Sequence, residues 1–392
     1  MNSEVKYPFG LKILLFLSCT SIALTPLSEN IRYTKYLLIL PALIFLIFSN
    51  KRDKNNYLNT ALNKYLIAYV LLYTLMVFFS FIVLTFNYDY YFRFFAESLF
   101  LLNPILLVYL FFKLNYFSKL DIILKYYFWA FITSYVIAFG PEIIDILIHP
   151  TILIQAIISS TIATESILAF IFGLFTLYFI LRKDKFYSII SLVFTIISFK
   201  RIALLALLFS LLINFILNRS KNIKKKIKYL KYTGIASNFL LVLFIYLFST
   251  GFFDLIISKW IGESANQFSL GRKLVYESVI SNLKPNLFFG AGLAKTSLFL
   301  ENSITTKINL LHSDLLKIFL EFGWVVFTIW IIVQFNLNTK YKDLLILFIY
   351  LNIVFLTDNV LIYFNVAFIF YLMQCSTIIN ENYNRKMKYY PR

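Results

Sequence analysis

FYSIISLVFTIISFKRIALLALLFSLLINFIL, residues 186–217, is apolar from end to end apart from Lys200-Arg201, Asn214 and scattered hydroxyl groups. At about 1.5 Å per residue a single helix of this length would run roughly 48 Å, well past a hydrocarbon core of about 30 Å. The stretch therefore reads as a hairpin of two helices that turns at Lys200-Arg201. The same arithmetic divides 344–378 at Thr357-Asp358-Asn359. A chain containing such hairpins has lipid as its solvent, and an all-α polytopic membrane protein is the expected fold.

Composition agrees. The 392 residues are 60% hydrophobic, 20% aromatic and 14% charged, with a mean hydropathy of +0.78. Soluble domains average about 45–50% apolar and about 25% charged residues, so a water-soluble globular protein is excluded. Cys19 and Cys375 lie in apolar runs near opposite ends of the chain, and the histidines are His149 and His312. That is too few soft ligands for a disulfide framework or a zinc or copper site. No metal and no cofactor is expected.

Working outward from the hairpin, apolar runs fall at 13–29, 36–48, 65–86, 90–112, 122–140, 165–181, 186–199, 202–217, 232–250, 315–335, 344–357 and 360–378. These give twelve expected spans. The first has no small-residue cleavage site and reads as a retained helix. Pro26, Pro41 and Pro104 read as kinks or helix ends. With the N-terminus placed in the cytoplasm, the cytoplasmic flanks collect 25 of the 37 Lys and Arg residues and six of the 19 acidic ones. That is an excess of +19 inside and −1 elsewhere. The whole surplus of +18 thus reads as topology under the positive-inside rule. Both termini are then cytoplasmic, and the basic run over 219–231 faces anionic membrane lipid rather than nucleic acid.

The longest segment left outside is 251–314, where an extracytoplasmic function should sit. Its stretch from Arg272 to Ile280 reads as a helix lying on the membrane, with Leu274, Tyr276, Val279 and Ile280 as its apolar face and Arg272, Lys273 and Glu277 toward water. Ionisable groups at membrane depth mark either paired charges or sites. Arg201 reads as an arginine snorkelling to headgroups or as a forked grip on an anion. His312 is a polar tip or a general base, since its ordinary pKa of about 6.5 suits proton abstraction from a hydroxyl. Asp314, Lys317 and Glu321 recur at helical spacing and form a charge-paired face, or Ser313 and Asp314 merely cap a helix. Arg93 and Glu97 neutralise each other four residues apart. Glu165 and Asp358 are open between headgroup contact and site, and His149 reads as exposed.

Lys200-Arg201 at an outer turn, Gly271-Arg272 and Phe289-Gly290-Ala291-Gly292 in a long outer segment, then His312-Ser313-Asp314-Leu315-Leu316 with Glu321-Phe322-Gly323, together resemble the O-antigen polymerase and O-antigen ligase superfamily. The similarity is clearest over about 195–325. It implies a glycosyltransferase C-like fold in the bacterial inner membrane, active on the extracytoplasmic side. The donor would be an oligosaccharide on undecaprenyl pyrophosphate, and the glycan would pass to a sugar hydroxyl without a metal. By the same resemblance Arg201 and Arg272 grip the pyrophosphate and His312 is the base. Arg93, Lys273, Glu165 and Asp314 are additional candidate contacts, and Tyr276, Phe288 and Phe289 candidate sugar platforms. Where relatives often carry His-Asn, this chain has His-Ser. A polymerase of surface polysaccharide (O-antigen, capsule or similar) is favoured, with a chain-length regulator protein as a candidate partner. An O-antigen or protein-glycan ligase and a transporter or flippase of lipid-linked substrates are the alternatives.

Overall fold

The computed structural model describes residues 9–27, 34, 37–48, 56–83, 88–113, 120–149, 151, 165–269, 271–303 and 311–389. Among these, every regular element is helical: α1 (Phe9–Leu24), α2 (Ile39–Phe48), α3 (Asn56–Val83), α4 (Tyr88–Lys113), α5 (Leu120–Ile148), α6 (Leu168–Leu181), α7 (Lys185–Ile197), α8 (Arg201–Asn218), α9 (Ile223–Ser249), α10 (Asp254–Ile261), α11 (Ala265–Phe268), α12 (Arg272–Leu283), α13 (Lys295–Asn302), α14 (Asp314–Asn338), α15 (Lys342–Val354) and α16 (Phe364–Tyr389). Each of the twelve apolar runs overlaps one of these helices. Six, within α3, α4, α5, α8, α9 and α14, are long and apolar enough to cross a membrane, while α6 and α7 are shorter apolar helices.

The break at Lys200 is present, as α7 ends at Ile197 and α8 starts at Arg201. The break near Thr357 lies between α15 and a 3-10 turn over Val360–Ile362. Elsewhere the helices overrun their expected limits. The link expected from 141 is helical as far as Ile148, kinked at Phe139 (φ −133°, ψ 20°) two residues before Pro141. A proline removes one helical N–H and crowds the preceding turn, which accounts for the bend. Thr25–Leu27, with Pro26, is a 3-10 turn at the end of α1, whereas Pro104 sits within α4. The remainder of the 141–164 link, apart from His149 and Thr151, lies outside the described residues up to Glu165.

Lipid as solvent is visible in α7. Its Phe186, Ile189, Val193 and Ile196 face outward, while Ser191 and Thr195 are fully buried. The hydroxyl of Thr195 bonds back to the Ser191 carbonyl and lies 3.2 Å from that of Thr176 on α6. A soluble amphipathic helix shows the reverse pattern, and in hydrocarbon buried hydroxyls must find partners within the protein.

The chain forms two compact units. One comprises Met1–Ile67, Asn103–Asn214 and Phe364–Arg392; the other comprises Ala68–Leu102 and Phe215–Tyr363. In the first, α6 is buried around its whole circumference. Phe175 and Phe179 there close on Phe128 of α5, with ring centroids 5.2 and 5.5 Å apart. In the second, α9 and α12 pack together, α9 lies against α14, and α13 bridges α12 and α14. A polar ladder ties α3 to α14: Tyr69 donates to Gln334 (3.0 Å), which donates to Tyr73 (3.2 Å), and Asn338 donates to Tyr69 (2.8 Å). Such side-chain bonds are common links between helices in lipid.

Among its described residues, the segment 251–314, expected on the outer side, holds the four helices α10 to α13. One of them corrects an expectation. The helix from Arg272 exists, but its buried side is Lys273, Val275, Tyr276 and Val279, and Leu274 is 55% exposed. Tyr276 and Val279, expected on an outward apolar face, pack on protein instead. Lys273 can turn inward because Asp254 neutralises it at 2.8 Å, with Glu277 at 3.6 Å. The Asp254 hydrogen bond holds its ammonium above the ordinary lysine range.

Candidate functional site

The site is built on a broken helix. Within α14, Gly323 adopts φ 69°, ψ −179°, so the helical ladder stops there and restarts. A break at membrane depth frees carbonyl and N–H groups that lipid cannot satisfy. The loop over 287–292 satisfies them. Ala291 and Gly292 donate their N–H groups to the carbonyls of Leu320 and Glu321 at 2.9 and 2.8 Å, and Trp324 and Val325 donate to those of Leu287 and Phe288 at 2.8 and 3.3 Å. Two glycines permit this contact. A Cβ on Gly290 would collide with the Glu321–Phe322 backbone, and one on Gly323 would collide with the Phe288–Phe289 backbone. Both have positive φ, the conformation that glycine adopts without strain. The two glycine motifs quoted from the sequence are thus opposite halves of one interlock.

The first half of α14, Asp314 to Phe322, is buried throughout. Ser313 is its N-cap, accepting the Leu316 N–H at 3.3 Å. Asp314, Lys317 and Glu321 share one face, as their spacing requires. Lys317 Nζ is 2.5 Å from Glu97 Oε2, 3.0 Å from Ser297 Oγ and 3.9 Å from Glu321 Oε1. Glu321 in turn accepts from the Thr296 hydroxyl at 2.5 Å and from its N–H at 3.3 Å. The expected isolated Arg93–Glu97 pair is part of a larger chain of charges. Arg93 lies 3.4 Å from Glu97 but 2.7 Å from Glu301, and Glu97 has Lys317 as its nearest partner. Tyr90 donates to the Leu293 carbonyl, and the Leu293 N–H donates to Ser80 at 2.5 Å. The segment from Leu293 to Glu301 is therefore pinned to α3 and α4 by polar bonds at several points. A small cavity opens beside it, lined by Glu97, Asp314, Lys317 and Glu321 among apolar side chains.

At the start of α14 a second turn is bound in. The His312 N–H donates to Asn359 Oδ1 at 2.6 Å, the Asp314 N–H to the Asp358 carbonyl at 3.2 Å, and the Leu361 N–H to Asp314 Oδ2 at 2.8 Å. Asp358 Oδ1 accepts from Tyr363 at 2.9 Å. His312 itself has φ 53°, a conformation that costs an L-residue about 1–2 kcal/mol and persists where surrounding bonds enforce it. Thr357-Asp358-Asn359, read in the sequence as a hairpin break with Asp358 open between headgroup contact and site, is the mount for His312.

The other expected site residues lie as follows. Arg272 opens α12 after Gly271, whose φ is 83°, and is half-buried. It adjoins Tyr276, whose phenol burial pushes up to about 12 against the pull of the guanidinium. Tyr276 is buried and offers no open ring face, whereas Phe288 and Phe289 are exposed. Arg201 is the exposed first residue of α8, and Glu165 is exposed just before α6; both belong to the first unit, while Arg272, His312, Asp314, Lys273 and Arg93 belong to the second. His149 is exposed. The sequence reading missed Glu97 as the partner of Lys317, and Thr296, Ser297 and Asn359 as anchors. The signal available was a charged helix face, Asp314, Lys317 and Glu321, within an apolar run; it marks a polar contact there without naming the partner.

Residues 186–331 match the family model described as O-Antigen ligase. That range contains Arg201, Arg272, His312 and both glycines of the interlock. No curated protein and no solved structure matches the chain.

Proposed function

We propose, starting from the O-Antigen ligase domain matched over 186–331, that the chain is a bacterial membrane glycosyltransferase that polymerises lipid-linked polysaccharide repeat units. The acceptor sugar hydroxyl attacks the anomeric carbon of a glycan on undecaprenyl pyrophosphate. The new glycosidic bond forms as the bond from that carbon to the phosphate oxygen breaks, and polyprenyl pyrophosphate departs. Negative charge grows on the leaving oxygens, and fixed guanidinium groups stabilise it as preorganised electrostatics. Arg201 and Arg272 take that role. His312 accepts the proton of the attacking hydroxyl.

The observation that carries the reading is the mounting of His312. Its backbone is strained and tied to Asn359 at 2.6 Å, and it directly precedes the N-cap of a helix whose first turns hold a buried charge cluster. Strain of this sort is retained at functional positions. The description of the matched family favours ligation as the second reading, in which the finished glycan passes to a different acceptor. Deleting the protein and examining the carrier-linked glycans separates the two. Polymerase loss leaves surface material of one repeat, ligase loss strands long chains on the carrier, and unchanged glycans would refute both. His312→Ala in the inserted, full-length protein should reproduce the deletion; long polysaccharide made by that variant would remove the base.

A further inference from the structure

The exposed apolar face in this segment is on α10 rather than on α12. Within Asp254–Ile261, Leu255 and Trp260 are each 84% exposed, and Ile256 and the preceding Phe252 are exposed as well. At 100° per residue Leu255, Ile256 and Trp260 fall within an arc of about 140°, with Lys259 between them. Asp254 points to the opposite side, where it holds Lys273 at 2.8 Å. We propose that this apolar face is seated in the headgroup and upper acyl region of the bilayer, at the Ser249 end of α9.

Three observations select lipid as the occupant. First, the face continues the lipid-facing surface of α9. Leu240, Leu243 and Phe244 on that span are exposed, and the Phe244 ring lies 5.1 Å from that of Phe253, at the N-cap of α10. Second, the height is right. The apolar part of α9 between the Lys-rich end at Lys231 and Ser249 is about 27 Å long at 1.5 Å per residue, against a hydrocarbon core of about 30 Å. With Lys231 at one interface, α10 begins at the other. Third, the composition suits an interface: a tryptophan, two aliphatic side chains, and a lysine whose stem can lie along the apolar face while its ammonium reaches lipid phosphate.

The contact has a consequence for the site, which rests on the role proposed for Arg272. Asp254 ties α10 to Lys273, the residue after Arg272, so the depth of α10 in the bilayer sets the height of that guanidinium relative to a headgroup-level pyrophosphate. Leu255→Asp and Trp260→Asp should each lower transfer while leaving α9 inserted.

The test does not depend on activity. In the full chain carrying Cys19→Ala and Cys375→Ala, single cysteines replace Leu255, Trp260 or Leu274 and receive an environment-sensitive fluorophore. The protein is then reconstituted in phosphatidylethanolamine and phosphatidylglycerol vesicles. Labels at 255 and 260 should be quenched by nitroxide lipids at least threefold more than the label at 274, and shielded from aqueous iodide. Equal access of iodide to all three overturns the proposal. Shielding from both quenchers also overturns it, because the face is then covered by protein. The native chain gives a second measurement: brominated lipids should quench a tryptophan component that disappears in Trp260→Phe. Failure of either leaves the pyrophosphate role of Arg272 standing, since that role is read from glycan transfer by Arg272 variants.

Discussion

Lys317 shows how a charge is kept inside a membrane helix. Its side chain is 7% exposed and that of the facing Glu97 2%. Two such groups are stable together because each replaces the water the other lost, and removing one leaves an uncompensated charge. Lys317→Met should therefore destabilise the protein by about 3–5 kcal/mol, whereas Lys317→Met combined with Glu97→Gln should recover most of that loss. Thermal unfolding in detergent checks both; a single variant as stable as the parent would mean the pair is dispensable. The spacing of Asp314, Lys317 and Glu321 was legible, because periodicity fixes which residues share a helix face. The partnership with Glu97, 220 positions away, was not. Sequence offers Arg93 as the neighbour of Glu97, and only packing shows that a second cation approaches more closely.

Among the elements, α14 is the one whose irregularity matters. A helix that breaks at Gly323 in lipid needs an external ladder, and the 287–292 loop supplies four backbone bonds to it. Gly323→Ala forces a positive φ on an alanine, at about 1–2 kcal/mol, and drives its methyl into the Phe288–Phe289 backbone. The expected result is separation of the loop from α14, with a lower melting temperature and faster proteolysis between 284 and 292. Gly140→Ala is the matched control, since nothing lies within 4 Å of its new methyl, and should change stability by about 1 kcal/mol at most. Equal behaviour of the two variants would contradict the interlock. Both glycine motifs were visible as motifs, yet their mutual contact was not, since neither spacing nor composition encodes which backbones touch. The face of α12 was misread for a related reason. A hydrophobic pattern weighs Leu274 above Lys273, but Asp254 on another element reverses the balance by neutralising the lysine.

For the molecule as a whole, the arithmetic of hydropathy went far because lipid imposes one rule on every span: backbone bonds close within the protein, almost always within the helix, and apolar surface faces out. All twelve runs carry helices, although α2, α6, α7 and α15 are only 10, 14, 13 and 13 residues long, shorter than the roughly 20 that cross a flat bilayer. Short helices of this kind require local thinning or burial within the protein, and α6, buried on all sides, is of the second sort. Sidedness rests on charge. The seven Lys and Arg residues of 219–231 precede the apolar part of α9, and each would resist transfer against the positive-inside bias. With native cysteines replaced, Lys225→Cys should thus react with a membrane-impermeant maleimide only after the cells are opened. His312→Cys should react in intact cells, because an odd number of crossings, α9 alone, separates 225 from the outer segment that leads to α14. Labelling of 225 from outside would invert the arrangement and carry His312 to the cytosol, away from any exported glycan; labelling of both positions from the same side would instead show that α9 does not cross.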